Sequence, residues 1–122
     1  MNKEEYVLKK MSGDILLFRC PGCKIIHQVQ VGKGSGPRWT WNKAMVKPTF
    51  TPSVLVKYSK LTEEGEKQAE EWRNNDYKPI DMKFDNQPVV CHSYVREGKI
   101  QFLSDCTHSL SNKTVDLPRW IE

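Results

Sequence analysis

The most specific chemical signal in the chain is Cys20-Pro21-Gly22-Cys23. Two thiolates spaced C-x-x-C grip one face of a tetrahedral zinc, each sulfur ~2.3 Å from the metal, and the proline and glycine between them favour the tight turn this needs. Two more ligands must come from elsewhere. The pool is Cys91, His92, Cys106 and His108 in one short stretch, with His27 as a further candidate. The expected metal set is Cys20, Cys23, Cys91 and Cys106 holding Zn2+, with His108 or His92 as alternative ligands for Cys91 or Cys106. His92, Asp105, His108 and His27 are the candidates for proton transfer beside such a metal.

Two rival chemistries fit less well. A disulfide-exchange site needs its C-x-x-C at the start of a helix, where the dipole lowers a thiol pKa, but the residues after Cys23 alternate as a strand does. A zinc deaminase needs H-x-E before P-C-x-x-C, and the three histidines here begin His27-Gln28-Val29, His92-Ser93-Tyr94 and His108-Ser109-Leu110. Gly32 to Gly36 lacks the G-K-[ST] ending and following helix of a phosphate cradle. Trp39 and Trp41 alternate as core aromatics of a small sheet do, which favours packing over base stacking.

The elements that must position these residues centre on 89–108. Two runs rich in β-branched and aromatic residues flank Glu97-Gly98, a hairpin signal in which glycine supplies a positive φ. With those two as the loop, Arg96 pairs with Lys99, Ser93 with Phe102 and Cys91 with Ser104. Alternation then puts Cys91 and Cys106 on one face, and His92, Tyr94 and Asp105 on the other, with His92 beside Asp105 across the hairpin. Upstream, Tyr6-Val7-Leu8 and Asp14 to Arg19 are short strands about a Ser12-Gly13 turn. Ile25, Val29 and Val31 recur with period two on the parity of Cys23 and His27, a strand with its apolar face inward that points His27 toward the cysteines. Pro48 to Ser53 is an extended loop, because Pro48 and Pro52 bar a central strand position, and it leads into a strand over 53–58. Leu61 to Asn75 is the single helix, with Thr62 its N-cap and Trp72 its anchor. A polar connection follows over 74–88, with a strand near Ile80 to Phe84. Asn112-Lys113 is a turn in the tail, where Val115, Leu117 and Trp120 supply packing.

A chain of 122 residues, 38% hydrophobic and 28% charged, with a net charge of +4, suits one soluble globular domain. The fold class expected is mostly β (α+β): a small antiparallel sheet, a zinc-ribbon-like turn and a central hairpin in a single domain over 1–122, with 61–87 a helix-containing insertion. The mild basic excess tolerates an acidic partner, nucleic acid included, without requiring one. The polar N-terminus and the lack of a long apolar run argue against a signal peptide or membrane span, so a bacterial cytoplasmic location is expected. In that reducing compartment cysteines serve as ligands rather than disulfides.

Cys20-Pro21-Gly22-Cys23 with His27, Trp39-Thr40-Trp41-Asn42, Pro48-Thr49-Phe50-Thr51-Pro52-Ser53, Cys91-His92-Ser93-Tyr94-Val95 and 100–108 together resemble a family of small phage and prophage proteins of unknown function. Members often carry an ammonia monooxygenase label, which implies a membrane-bound copper enzyme and finds no support in these residues. More distant relatives keep a P-S-[IV] segment and a Cys/His pair, and that likeness implies His92 rather than Cys106 as the fourth ligand. Three functions follow as expectations. The first is a phage-encoded zinc module that binds a host or phage macromolecule or a nucleotide, for instance in counter-defence. The second is a small zinc hydrolase with an open metal position, and the third a structural accessory protein. A binding module predicts four protein ligands, an enzyme three.

Overall fold

The computed structural model describes residues 3–75 and 84–121. Its strands fall into three antiparallel groups. Strands β1 (Leu8–Met11), β2 (Ile15–Arg19) and β3 (Ile26–Gln30) form a three-stranded sheet in that order. Strands β4 (Thr40–Trp41) and β5 (Phe50–Thr51) make a two-stranded ribbon. Strands β6 (Val54–Leu61), β7 (Asn86–Arg96), β8 (Lys99–Phe102) and β9 (Thr114–Asp116) form a four-stranded sheet in the order β6-β7-β8-β9. The expected class, mostly β with one helix and a cysteine-rich turn, is what the chain adopts.

The first strand lies later than the sequence suggests. Met11 pairs with Ile15 across the Ser12-Gly13-Asp14 loop and Leu8 with Phe18, so the short loop sets the register and draws Lys9 to Met11 into the strand. Val7 instead donates its N–H to the Met45 carbonyl (2.9 Å). The Pro48 to Ser53 stretch carries the two-residue strand β5 between its prolines, with Thr40 opposite Thr51 and Trp41 opposite Phe50. Pairing of only two residues fits between Pro48 and Pro52 without asking either proline for an N–H.

The chain divides into two compact units, Met1–Val56 with Val90–Glu122, and Lys57–Val89. Within the second, helix α1 (Glu63–Asn74) begins where Thr62 accepts the Gly65 N–H on its hydroxyl (3.1 Å), the cap the sequence indicates. Its Trp72 ring lies 5.8 Å from that of Phe84. The strand expected near Ile80 to Phe84 falls largely outside the described residues. The first unit holds the core: Leu8, Leu16, Phe18, Val29, Phe50, Val54, Val95, Ile100, Phe102 and Leu117 are buried together, with Trp39 and Trp41 packed against them.

The β7–β8 hairpin has the predicted register, Arg96 opposite Lys99 and Ser93 opposite Phe102, about Glu97 (φ 49°) and Gly98 (φ 78°). Both turn residues take the left-handed conformation that matches the strand twist. Along β7 the inward set Val89, Cys91, Ser93 and Val95 is buried and alternates with Val90, His92 and Tyr94. The expected pairing of Cys91 with Ser104 does not form. Strand β8 stops at Phe102, and Leu103 to Cys106 closes a turn in which the Cys106 N–H meets the Leu103 carbonyl (3.2 Å). Ser104 and Asp105 sit at its centre, where their side chains favour turn conformations over a strand.

Candidate metal centre and Ser–His–Asp relay

The turn after β2 folds on itself. Lys24 donates its N–H to the Cys20 carbonyl (2.8 Å), Cys20 donates to the Ile25 carbonyl (2.9 Å), and the Cys23 N–H points at the Cys20 sulfur (3.3 Å). Both side chains are thereby aimed to one side. Strand β3 leaves the turn with His27 inward and buried, its ring edge-on to Phe18 at 5.6 Å. Strand β7 brings the inward-facing Cys91.

These pieces gather Cys20, Cys23, His27 and Cys91 with ligand atoms all within 4.8 Å of one another. The Cys20 and Cys91 sulfurs lie 3.8 Å apart, and two sulfurs on a tetrahedral zinc at ~2.3 Å each stand about 3.8 Å apart. His27 Nε2 is buried without a hydrogen-bond partner. A buried, unpartnered ring nitrogen on a histidine gathered with three cysteines suits a metal ligand. The bond from Cys91 holds the Cys20 thiol well below its usual range, aided by His27 and the Cys23 N–H against the opposing effect of burial. That same bond and burial push Cys91 up. A cation would displace a proton held between two such sulfurs and be bound by both as thiolates.

The expected fourth sulfur, Cys106, is placed elsewhere. It groups with Cys91 and His108, apart from Cys20 and Cys23. The turn at Ser104-Asp105 is the reason, since it ends the strand that would have carried Cys106 inward opposite Cys91. The Cys106 sulfur accepts the His92 N–H (3.2 Å) and donates to the His92 carbonyl (3.1 Å), which describes a thiol rather than a thiolate ligand. His108 Nδ1 accepts the Leu110 N–H (3.2 Å), and its Nε2, like that of His27, is buried without a hydrogen-bond partner. Its ring sits edge-on to Phe102 (4.4 Å) and over Gly22, where an added methyl would come within 2.3 Å of it.

His92 belongs to neither group. It lies on the opposite face of β7, as alternation requires, and its Nδ1 meets Asp105 Oδ2 at 3.0 Å. Its other nitrogen, Nε2, meets the Ser53 hydroxyl at 2.9 Å. Ser53 stands between β5 and β6, with its carbonyl held by the Trp39 indole N–H (3.1 Å). The three residues make a continuous serine–histidine–carboxylate relay, the arrangement that activates a serine hydroxyl as a nucleophile. The His92 side chain is 26% exposed and that of Asp105 52%, so the relay opens to solvent, whereas Cys20, His27 and Cys91 are buried and Cys23 half-buried. The resemblance that would make His92 a metal ligand is corrected by this orientation. Ser53 is a candidate site residue that the sequence alone does not single out, because no motif such as G-x-S-x-G surrounds it.

A family model described as "Bacterial ubiquitination-like system serine protease (BubE)" matches residues 1–103. The chain belongs to the BubE family. No curated protein and no solved structure matches it. The match takes in Ser53 and His92 together with Cys20, Cys23, His27 and Cys91, and stops two residues before Asp105. Among the described residues of this BubE-family chain, no helix is long and apolar enough to cross a membrane.

Two outcomes check the metal geometry. His27→Ala weakens metal retention against a competing chelator, whereas Cys106→Ala keeps wild-type content by elemental analysis; the reverse pattern would contradict the assignment. Gly22→Ala drives a methyl into the His108 ring and lowers the melting temperature, at an overpacking cost of ~1–3 kcal/mol. A melting curve identical to wild type would contradict that close approach.

Proposed function

We propose that this chain is a serine hydrolase of a bacterial ubiquitination-like system, cleaving the acyl bond between the carboxyl end of a ubiquitin-like modifier and the group attached to it. The observation that carries the reading is the Ser53–His92–Asp105 relay, with its 2.9 and 3.0 Å contacts. The family description supports it from an independent side. Chain order is Ser, His, Asp, unlike the three orders found in other triad folds, but such sites are recognised by geometry and role rather than by sequence position.

In the proposed mechanism Ser53 Oγ attacks the carbonyl carbon of an ester or amide while His92 Nε2 takes the hydroxyl proton. Asp105 holds the Nδ1–H edge of the ring and stabilises the imidazolium that forms. The tetrahedral adduct collapses as His92 returns the proton to the departing alcohol or amine, leaving an acyl-Ser53 ester. Water then attacks that ester with His92 again as base, releasing the acid and regenerating Ser53.

The metal has a different task. Three thiolates and an imidazole favour zinc, and four protein donors fill a tetrahedron, so Cys20, Cys23, His27 and Cys91 suit a closed structural site rather than a zinc hydrolase with an open position. A closed site is equally what a pure binding module predicts. Such a module has no use for a nucleophile, base and carboxylate in line, and that favours the hydrolase reading. The partner, in this view, is a modifier protein presenting its carboxyl end.

The test is hydrolysis of p-nitrophenyl acetate, a small activated ester that needs no partner recognition. Ser53→Ala and His92→Ala each lower kcat by about 1,000-fold or more, and the double variant falls no further, since members of one relay act as a unit. Zinc content and melting temperature stay near wild type in both. Equal turnover in wild type and Ser53→Ala, or zinc loss from His92→Ala, would overturn the reading.

A further inference from the structure

The Ser104-Asp105 turn leaves the strand bearing the base short of partners. Past Phe102, Leu103 donates its N–H to the His92 carbonyl (2.9 Å), and the chain then bends away through Ser104 and Asp105. It rejoins at Thr107, whose N–H meets the Val90 carbonyl (3.0 Å) and whose hydroxyl accepts the Val90 N–H (3.1 Å). Two residues thus loop out between rungs of the ladder, as in a β-bulge. Within that gap the His92 N–H turns to a side chain. The Cys106 sulfur fills the place, accepting this N–H at 3.2 Å while giving its own proton to the His92 carbonyl at 3.1 Å.

Resting on the hydrolase reading of Ser53, we propose that Cys106 is a positioning residue: its thiol latches the turn to the backbone on both sides of His92 and so sets the Asp105 carboxylate on the imidazole. Asp105 precedes Cys106 directly and its side chain is 52% exposed, so the ring contact alone does little to hold the carboxylate against solvent. A sulfur that is buried and doubly hydrogen-bonded fixes the turn one residue away. Serine offers the same donor and acceptor on a shorter arm. Alanine and valine offer neither.

The experiment compares wild type, Cys106→Ala, Cys106→Val and Cys106→Ser in the full chain, and reads three quantities. The first is the low-field proton resonance of the His92 Nδ1–H bound to Asp105, assigned by its loss in Asp105→Asn. The second is kcat and KM on p-nitrophenyl acetate, and the third is zinc content. Cys106→Ala is expected to lose the resonance and to drop kcat about 100-fold with KM little changed, because a misplaced base costs chemistry rather than binding. Cys106→Ser restores both in part, and zinc stays at the wild-type level throughout. Cys106→Val, which fills the space without a hydrogen bond, carries the comparison should the alanine variant not fold. An unaltered resonance and kcat in the alanine or valine variant would overturn the proposal while leaving the hydrolase reading in place. Zinc loss would overturn it by making Cys106 a ligand. If the resonance behaves as expected but wild type turns over no ester, the positioning role stands and the hydrolase reading falls.

Discussion

Neighbouring residues on a β-strand point to opposite faces, and in β7 this constraint joins two side-chain clusters of different chemical character. Cys91 faces inward, where its sulfur lies 3.8 Å from that of Cys20; His92 faces outward, where its ring meets Ser53 and Asp105. A shift of one residue in register would exchange the two side chains and destroy both arrangements. The register is set by the Glu97-Gly98 turn and by burial of Ser93, Val95, Ile100 and Phe102 around it. The hairpin core therefore determines where His92 stands, although it contributes no atom to the relay.

A metal at Cys20, Cys23, His27 and Cys91 would reinforce the same constraint. It would tie the turn after β2 and strand β3 to β7 through ligand bonds far stronger than the packing of one side chain, in a domain too small to build a large core. The relay needs Ser53 from the β5–β6 junction, His92 from β7 and Asp105 from the turn after β8 held within tenths of an ångström. Short strands alone hold such a constellation loosely. A closed metal site on the far face of the strand would supply rigidity from behind, beside the Trp39 indole bonded to the Ser53 carbonyl.

How much of this the sequence discloses depends on the range of the signal. The C-x-x-C turn, the hairpin register, the Thr62 cap and the inward direction of His27 are local, written in spacing and period. The pairing of His92 with Asp105 follows from the hairpin too, although the structure achieves it through a turn rather than a continuous strand. Cys106 illustrates the limit. Period two places it beside Cys91, but Ser104 and Asp105 prefer a turn, and that small local preference directs the sulfur to the backbone of His92, apart from Cys20 and Cys23. Ser53 is harder still, because serine is common, 39 residues separate it from His92, and only tertiary folding brings the two together.

The most direct test concerns the nucleophile itself. A fluorophosphonate reacts irreversibly with an activated serine hydroxyl and leaves a fixed mass on it, so intact-mass spectrometry followed by peptide mapping identifies the serine that the relay activates. One phosphonyl group per chain, mapped to Ser53 and absent from protein carrying His92→Ala, is the predicted result. Labelling spread over other serines, or equal labelling of wild type and His92→Ala, would contradict it.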